Sequence, residues 1–215
     1  MNSNRGKKQN RGRRTRRGAN AVARLPMATP TTQGPANLVR QPTLYPRNVV
    51  SRMVPGGYFD QINNGITATL AVINFSLNDI PGYTELTSLY QSYCIEQVEI
   101  WFRPEYTELT DASTLSNAVN VDFYSAIDLV DLNPPTSVDA VCEYQNVAHT
   151  PVTKSHYRKI KPAYLVDNIA PVCGLVSSQS PSLNWLGLKI AIPPCGTPMT
   201  FRAVAKYKIA LVGLK

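Results

Sequence analysis

The stretch that decides the fold lies near the C-terminus, at Thr200–Val212, and reads TFRAVAKYKIALV. Every second residue in it is apolar or small: Phe201, Ala203, Ala205, Tyr207, Ile209 and Leu211. Three of the residues between them are cations, namely Arg202, Lys206 and Lys208. Because successive side chains of an extended chain point to opposite faces, this period of two predicts a long strand with one buried face.

Six further stretches are typical of strands, since each combines apolar alternation or an apolar run with turn-forming residues at its ends. They cover residues 48–54, 66–77, 93–103, 118–129, 152–160 and 185–192. A change of phase inside 66–77 predicts a bulge or a corner, and Pro104 is expected to end the stretch 93–103. Two short helices are predicted in the connections, one capped by Thr84 and one capped by Thr136 or Ser137.

The composition and the links between strands favour an all-β domain. The chain is rich in Val, Ile, Thr, Tyr and Pro and has few long runs of good helix formers. Long irregular links, rather than two-residue hairpins, favour a Greek-key β-sandwich of about seven or eight strands over an up-and-down barrel. We therefore expect one sandwich domain with short helices in its connections.

The N-terminal segment MNSNRGKKQNRGRRTRRGANAVAR has a different character, because it contains no acidic and no aromatic residue. Its nine cations are Arg5, Lys7, Lys8, Arg11, Arg13, Arg14, Arg16, Arg17 and Arg24. Such a segment cannot bury enough apolar surface to offset its conformational entropy, so residues 1–24 are predicted to be a disordered basic arm. Residues 25–47 contain five prolines and predict an extended linker, which leaves residues 48–215 as the folded domain.

The formal charge of +8 is divided very unevenly along the chain. Residues 1–59 hold twelve Lys and Arg and no acidic residue, whereas residues 60–215 hold ten Lys and Arg against fourteen acidic residues. This asymmetry indicates nucleic acid or another polyanion as the partner of the arm. Without aromatic residues, the arm is expected to contact phosphates nearly independently of base sequence. A nuclear localisation signal within Arg11–Arg17 is compatible with the same residues.

Two basic clusters in the predicted sandwich are further candidates for phosphate binding. One is Arg202, Lys206 and Lys208, and the other is Lys154, Arg158, Lys159 and Lys161. They extend the phosphate-binding surface if both lie on the side from which the arm leaves. The alternative is that they are solvated charges that keep strand edges from aggregating.

Patterns for catalysis and metal binding are weak. The cysteines are far apart and are predicted to be small buried side chains: Cys94, Cys142, Cys173 and Cys195. His149 and His156 are expected at the surface or at a strand edge. With no catalytic motif, phosphate-binding glycine loop or zinc spacing, we expect no enzyme, no cofactor and no structural metal. Two interpretations stay open for Asp122, Asp128 and Asp131: they are ligands of a calcium ion, or they are ordinary solvated charges of a loop.

The N-terminus does not look like a secretory or membrane segment. It runs into a linker that contains proline and threonine rather than into an apolar stretch. We therefore expect no secretory signal and no membrane partner, and hence a soluble intracellular product.

The stretch Tyr90–Pro104, YQSYCIEQVEIWFRP, carries a resemblance to a known family. It is similar to the Y-x-x-Y-x-I-x-x-V-x-[VI]-x-F-x-P strand in capsid proteins of circoviruses and related viruses with circular single-stranded DNA. A basic arm, a Pro-rich linker and a β-sandwich together also resemble a small icosahedral virus capsid protein. The resemblance implies a single eight-stranded jelly roll that self-assembles into a closed T=1 shell of identical subunits, with the arm inside around the viral genome. The expected locations are the virion and, during assembly, the host nucleus.

Two alternatives concern the partner and the class of protein. Circovirus arms are usually longer and contain aromatic residues, and the Pro-Thr linker is also similar to capsids of small RNA viruses. Single-stranded DNA is therefore the favoured genome and RNA the alternative. The second class is a non-capsid nucleic-acid-binding protein, ribosomal or chromatin-like, with a β-sandwich body. Such proteins usually spread basic residues over the folded body, whereas this body is net acidic.

Overall fold

A computed structural model of the chain describes residues 47–105, 120–166 and 170–215. The strands are β1 (Asn48–Val54), β2 (Gln61–Asn63), β3 (Thr69–Phe75), β4 (Tyr90–Glu105), β5 (Asp122–Ile127), β6 (Ala148–Pro151), β7 (His156–Ile160), β8 (Tyr164–Val166), β9 (Ala170–Val172), β10 (Val176–Ser177), β11 (Trp185–Ile192) and β12 (Met199–Leu214). The helices are a 3-10 helix (Leu77–Asp79), α1 (Tyr83–Leu89) and α2 (Val138–Cys142).

Most strands form two antiparallel sheets, and the chain passes repeatedly from one sheet to the other. In the six-stranded sheet, β12 lies between β1 and β4, β7 and β10 pair with β4, and β2 pairs with β12. The four-stranded sheet has the order β3-β11-β5-β6, and a small separate sheet contains β8 and β9. Strands that are neighbours in sequence thus mostly lie in different sheets. This is the strand order of a jelly roll, so the predicted all-β Greek-key sandwich is confirmed.

The core lies between the two sheets. All six residues predicted for the buried face of β12 are fully buried or nearly so. Aromatic rings join the sheets, with centroids 5.2 Å apart for Phe123 and Phe201 and 5.8 Å apart for Phe75 and Tyr207. Burying one such large apolar side chain stabilises the fold by roughly 1.5–3 kcal/mol.

The central pair of strands is longer than predicted. β4 begins at Tyr90 and continues to Glu105, and Pro104 pairs in register with Phe201 instead of ending the strand. The pairing of β4 with β7 ends at Phe102. A proline beyond that point costs no ladder hydrogen bond on the β7 side, which explains why the strand continues through it.

The predicted bulge exists, but on the other strand of the pair. The stretch 66–77 forms a strand only over Thr69–Phe75, and the register shift lies in β11 between Trp185 and Leu188. Gly187 sits in this bulge, where a Cβ atom would lie 2.3 Å from Phe75 Cε2 and 2.7 Å from the Ile73 carbonyl oxygen. The close approach of two strands therefore requires glycine at this position.

The short helices were predicted at the right places with one wrong cap. Helix α1 is preceded by Gly82, whose φ of 76° is left-handed, and Thr84 lies inside the helix. Helix α2 is capped by Ser137, whose side chain accepts a hydrogen bond from the Ala140 N–H. Among the helices that the structure describes, none is long and apolar enough to cross a membrane.

Candidate nucleic-acid interface

One surface collects most of the basic residues predicted in the sandwich. It is the side of the six-stranded sheet that points away from the core, which we call the outer face. Its central side chains are Arg202, Lys206 and Lys208 on β12, Glu99, Trp101 and Arg103 on β4, and Tyr157 and Lys159 on β7. The antiparallel register places Arg202 opposite Arg103 and Lys206 opposite Glu99.

Several cations of the outer face are held by acidic neighbours. Arg202 makes a forked pair with Glu105, with Nε–Oε1 at 2.7 Å and Nη2–Oε2 at 3.2 Å. Lys208 Nζ lies 3.4 Å from Glu96 Oε2. Glu96 is the extra residue of β4 at the register shift, between Ile95, which pairs with Ile209, and Gln97, which pairs with Lys208. Both side chains of the Arg202–Glu105 pair are exposed, so this pair contributes only about 0–1 kcal/mol to stability. A phosphate group can therefore displace Glu105 from Arg202 at small cost.

Lys206 and Arg103 are the cations of this face that make no ion pair with any other residue of the described ranges. Arg103 was not predicted as a site residue. The alternation that places Glu99, Trp101 and Arg103 on one face of β4 was the signal that identifies it. Within the described residues no carboxylate pairs with these two charges, so they can bind an anion without the loss of an ion pair.

The predicted cluster of Lys154, Arg158, Lys159 and Lys161 is not a single surface, which corrects the prediction. Lys159 is on the outer face, where its Nζ lies 3.8 Å from Glu99 Oε1. Arg158 is on the opposite face of β7 from Lys159, and its Nη2 donates a hydrogen bond to the Asn146 carbonyl at 2.9 Å. Burial lowers the pKa of the Arg158 guanidinium. Lys154 is exposed in the turn before β7.

Lys161 lies near the margin of the outer face. It lines an open cavity of about 470 Å³ together with Arg47, Cys94, Cys173 and Lys208. Basic residues therefore continue from the outer face along this margin, towards the start of β1.

The nine arm cations lie outside the described residues, as do residues 25–46 of the linker. Arg47, the first residue described, makes an ion pair with Glu96 beside Lys208. The chain thus enters β1 next to the outer face.

His156 is buried, so the predicted surface or edge position was wrong for this residue, whereas His149 is exposed. The His156 ring makes two hydrogen bonds, Nε2 to Ser125 Oγ at 2.7 Å and Nδ1 to Thr150 Oγ1 at 2.5 Å. Burial, followed by the nearby charges of Arg158 and His149, lowers the pKa of His156 to about 4. This histidine is a neutral core residue.

The cysteines only partly match their prediction as buried side chains. Cys195 is buried, Cys94 is half-buried, and Cys142 and Cys173 are exposed, all as free thiols. The two exposed cysteines lie at the end of α2 and next to β9, in connections whose exposure depends on the tertiary fold. Burial raises the pKa of the Cys94 thiol, which disfavours the reactive thiolate.

The carboxylates considered for calcium have protein partners. Asp122 Oδ2 lies 2.9 Å from His149 Nδ1. Asp128 accepts a hydrogen bond from the Tyr144 hydroxyl at 2.8 Å, which raises the pKa of Tyr144 to about 12. The ammonium group of Lys189 lies 3.7 Å from Asp128 and 3.3 Å from Asp131 and is buried between them. Within the three described ranges, no group of three or more metal-ligating side chains occurs.

Comparisons with known proteins agree on the type of fold. The family model described as circovirus capsid protein matches residues 5–211. The BFDV capsid protein, solved as a 60-mer, is similar with a TM-score of 0.56 at 14% identity, covering 79% of this chain and 95% of its own. Mud crab tombus-like virus gives a TM-score of 0.54 at 14% identity, with coverages of 84% and 95%. Tobacco necrosis virus gives 0.50 at 12% identity, with coverages of 79% and 97%. No curated protein sequence matches the chain.

Proposed function

The chain belongs to the circovirus capsid protein family, and from this we propose that it assembles into a small icosahedral shell and packages single-stranded nucleic acid through its basic arm. Its role is that of a structural capsid protein, a component of the virion. The family match over residues 5–211 is the observation that carries the proposal, because it spans both the basic segment and the jelly roll.

The shell we propose has T=1 symmetry. The BFDV capsid protein, which has a similar fold, was solved both as a 60-mer and as a decamer. A closed icosahedral shell needs contacts between different patches of identical subunits that close by symmetry. The connections between sheets and the linker at residues 25–47 supply surfaces for such contacts.

Packaging in this proposal is electrostatic. Each arginine of residues 1–24 offers a planar set of donors to phosphate oxygens, and each neutralised phosphate releases a condensed counterion. The body is net acidic, which directs nucleic acid towards the arm and the outer face. Single-stranded DNA is the favoured genome because of the family, with RNA as the alternative. A localisation signal within Arg11–Arg17 would bring the protein to the host nucleus for assembly.

The role is structural, and we propose no catalytic activity. Among the residues that the structure describes, neither histidine is hydrogen-bonded to a cysteine. The raised pKa of the buried Cys195 thiol also disfavours its thiolate.

Expression of the full chain, followed by size exclusion and negative-stain microscopy, tests assembly. We expect uniform closed particles that retain nucleic acid after nuclease treatment, measured as the ratio of absorbance at 260 and 280 nm. Digestion of the extracted nucleic acid from authentic virions with DNase or RNase then identifies the genome. A species that stays at the mass of one subunit, 23.7 kDa, at every salt concentration and pH contradicts the proposal.

A further inference from the structure

An aromatic pair lies in the middle of the basic outer face. Trp101 on β4 and Tyr157 on β7 are opposite each other in register, and their ring centroids are 5.3 Å apart with an angle of 35° between the planes. The Tyr157 side chain is well exposed, at 46% of its surface. Trp101 is half-buried, whereas the other tryptophan, Trp185, is fully buried in the core.

Cations surround this pair on three sides. On β12, Trp101 is opposite Val204, so Arg202 and Lys206 are its two diagonal neighbours. Diagonal neighbours on one face of an antiparallel pair are separated by about 7–8 Å, within reach of long side chains. Arg103 is two residues further along β4, and Lys159 is two residues along β7 from Tyr157.

We propose that Trp101 and Tyr157 form a stacking platform for the bases of single-stranded nucleic acid, with Arg103 and Lys206 contacting the flanking phosphates. This inference rests on the packaging function proposed above and assigns a second binding element to it. Aromatic rings bind any unpaired base through its π face, and one such contact typically changes affinity by roughly five- to hundredfold. Arg103 and Lys206, which make no ion pair within the described residues, supply the matching phosphate contacts.

The platform contacts unpaired bases, whereas the arm contacts only phosphates. The arm contains no aromatic residue, so it binds phosphates of single and double strands alike. Bases in a duplex are stacked on each other and are not available to Trp101 and Tyr157. The outer face therefore favours single strands, while the arm supplies most of the charge neutralisation.

The test compares two oligomers of equal length and charge, oligothymidylate and an abasic deoxyribose-phosphate chain. Each is titrated into the full-length protein at concentrations too low for particle formation, with tryptophan fluorescence as the readout. Because Trp185 is fully buried, quenching by added bases reports on Trp101. We expect oligothymidylate to bind about tenfold tighter than the abasic chain and to quench the emission. Equal affinities without quenching overturn the platform.

The variant Tyr157→Leu removes one ring and keeps an apolar side chain on the strand. We expect it to reduce the affinity ratio of the two oligomers by about fivefold. Tyr124→Leu is the matched control, because Tyr124 is stacked with His149 on the four-stranded sheet, at a centroid distance of 6.0 Å. An unchanged ratio in folded Tyr157→Leu overturns the proposal. If that variant also fails to form particles, the face instead contacts a neighbouring subunit.

A second variant keeps the test independent of the aromatic pair. The slope of log affinity against log salt is negative, and we expect Lys206→Gln to reduce its magnitude by about 0.7, the value for one phosphate contact on a single strand. Lys208→Gln, whose lysine is paired with Glu96, is expected to reduce the magnitude less. Equal slopes for wild type and Lys206→Gln refute the phosphate contact.

If neither oligomer binds the full chain at all, the packaging function itself fails. If both bind equally through the arm, packaging stands and only the platform is wrong.

Discussion

At the scale of single residues, His156 links the two sheets from inside the sandwich. It belongs to β7 of the six-stranded sheet, while its partners Ser125 and Thr150 belong to β5 and β6 of the four-stranded sheet. The rings of Phe123 and Phe102 lie beside it, with centroids at 4.7 Å and 6.3 Å. A neutral imidazole satisfies both hydroxyl groups with one donor and one acceptor nitrogen. An imidazolium here would be a buried charge that no carboxylate of the described residues contacts.

The lowered pKa of His156 predicts a loss of stability in acid. The pKa falls from 6.5 to about 4, so between these values the unfolded chain binds more protons than the folded one. The stabilisation is thus fully present above about pH 6.5 and is lost as the pH falls towards 4, by up to about 3 kcal/mol. Urea unfolding of the unassembled chain at several pH values measures this loss.

His156→Gln is the variant that isolates this contribution. It should be less stable than wild type near pH 7, because the amide fits the two hydroxyl groups less well, yet lose less stability between pH 6.5 and 4. His149→Gln removes the exposed histidine instead and should retain most of the acid loss. Equal pH dependence in wild type and His156→Gln contradicts the assignment.

At the scale of elements, α2 depends on one capping residue. It is a helix of five residues, too short to be stable without its cap and its packing. The Ser137 hydroxyl accepts a hydrogen bond from the Ala140 N–H at 3.0 Å. We expect Ser137→Ala to lower the free energy of unfolding by about 1 kcal/mol and Thr136→Ala to change it much less. Urea unfolding at neutral pH compares them, and similar losses in both variants contradict the assignment of the cap.

The success of sequence reasoning at this scale depended on local signals. β11 and β12 were predicted almost to their ends, because an apolar run closed by two prolines and a long alternation are both contained in the strand itself. The bulge was assigned to β3 instead of β11, because its cause is a non-local contact between Gly187 and Phe75. Pro104 remained inside β4 because the partner strand β7 stops earlier, which no local pattern reveals.

At the scale of the whole molecule, the candidate site is a product of strand order. Lys159 and Arg158 are neighbours in sequence but point to opposite sides of β7, so counting charges along the chain overestimated that cluster. Trp101 and Tyr157 are brought together only because β7 pairs with β4. The basic arm, in contrast, is a prediction from composition alone, since a run of cations without any anion requires no fold to be recognised.

Removal of residues 1–24 tests the proposed division of the chain into an arm that packages and a jelly roll that folds. The deletion removes nine of the twelve cations that precede residue 60. The core described above lies wholly within residues 48–215, so the circular dichroism spectrum of the sandwich should persist. Particles of the truncated chain should show the absorbance ratio of protein alone. A shuffled arm of identical composition is the matched control and should still package, because phosphate contacts do not depend on residue order. Loss of folding in the truncation contradicts the domain boundary, and packaging by the truncation but not by the shuffled arm contradicts the electrostatic mechanism.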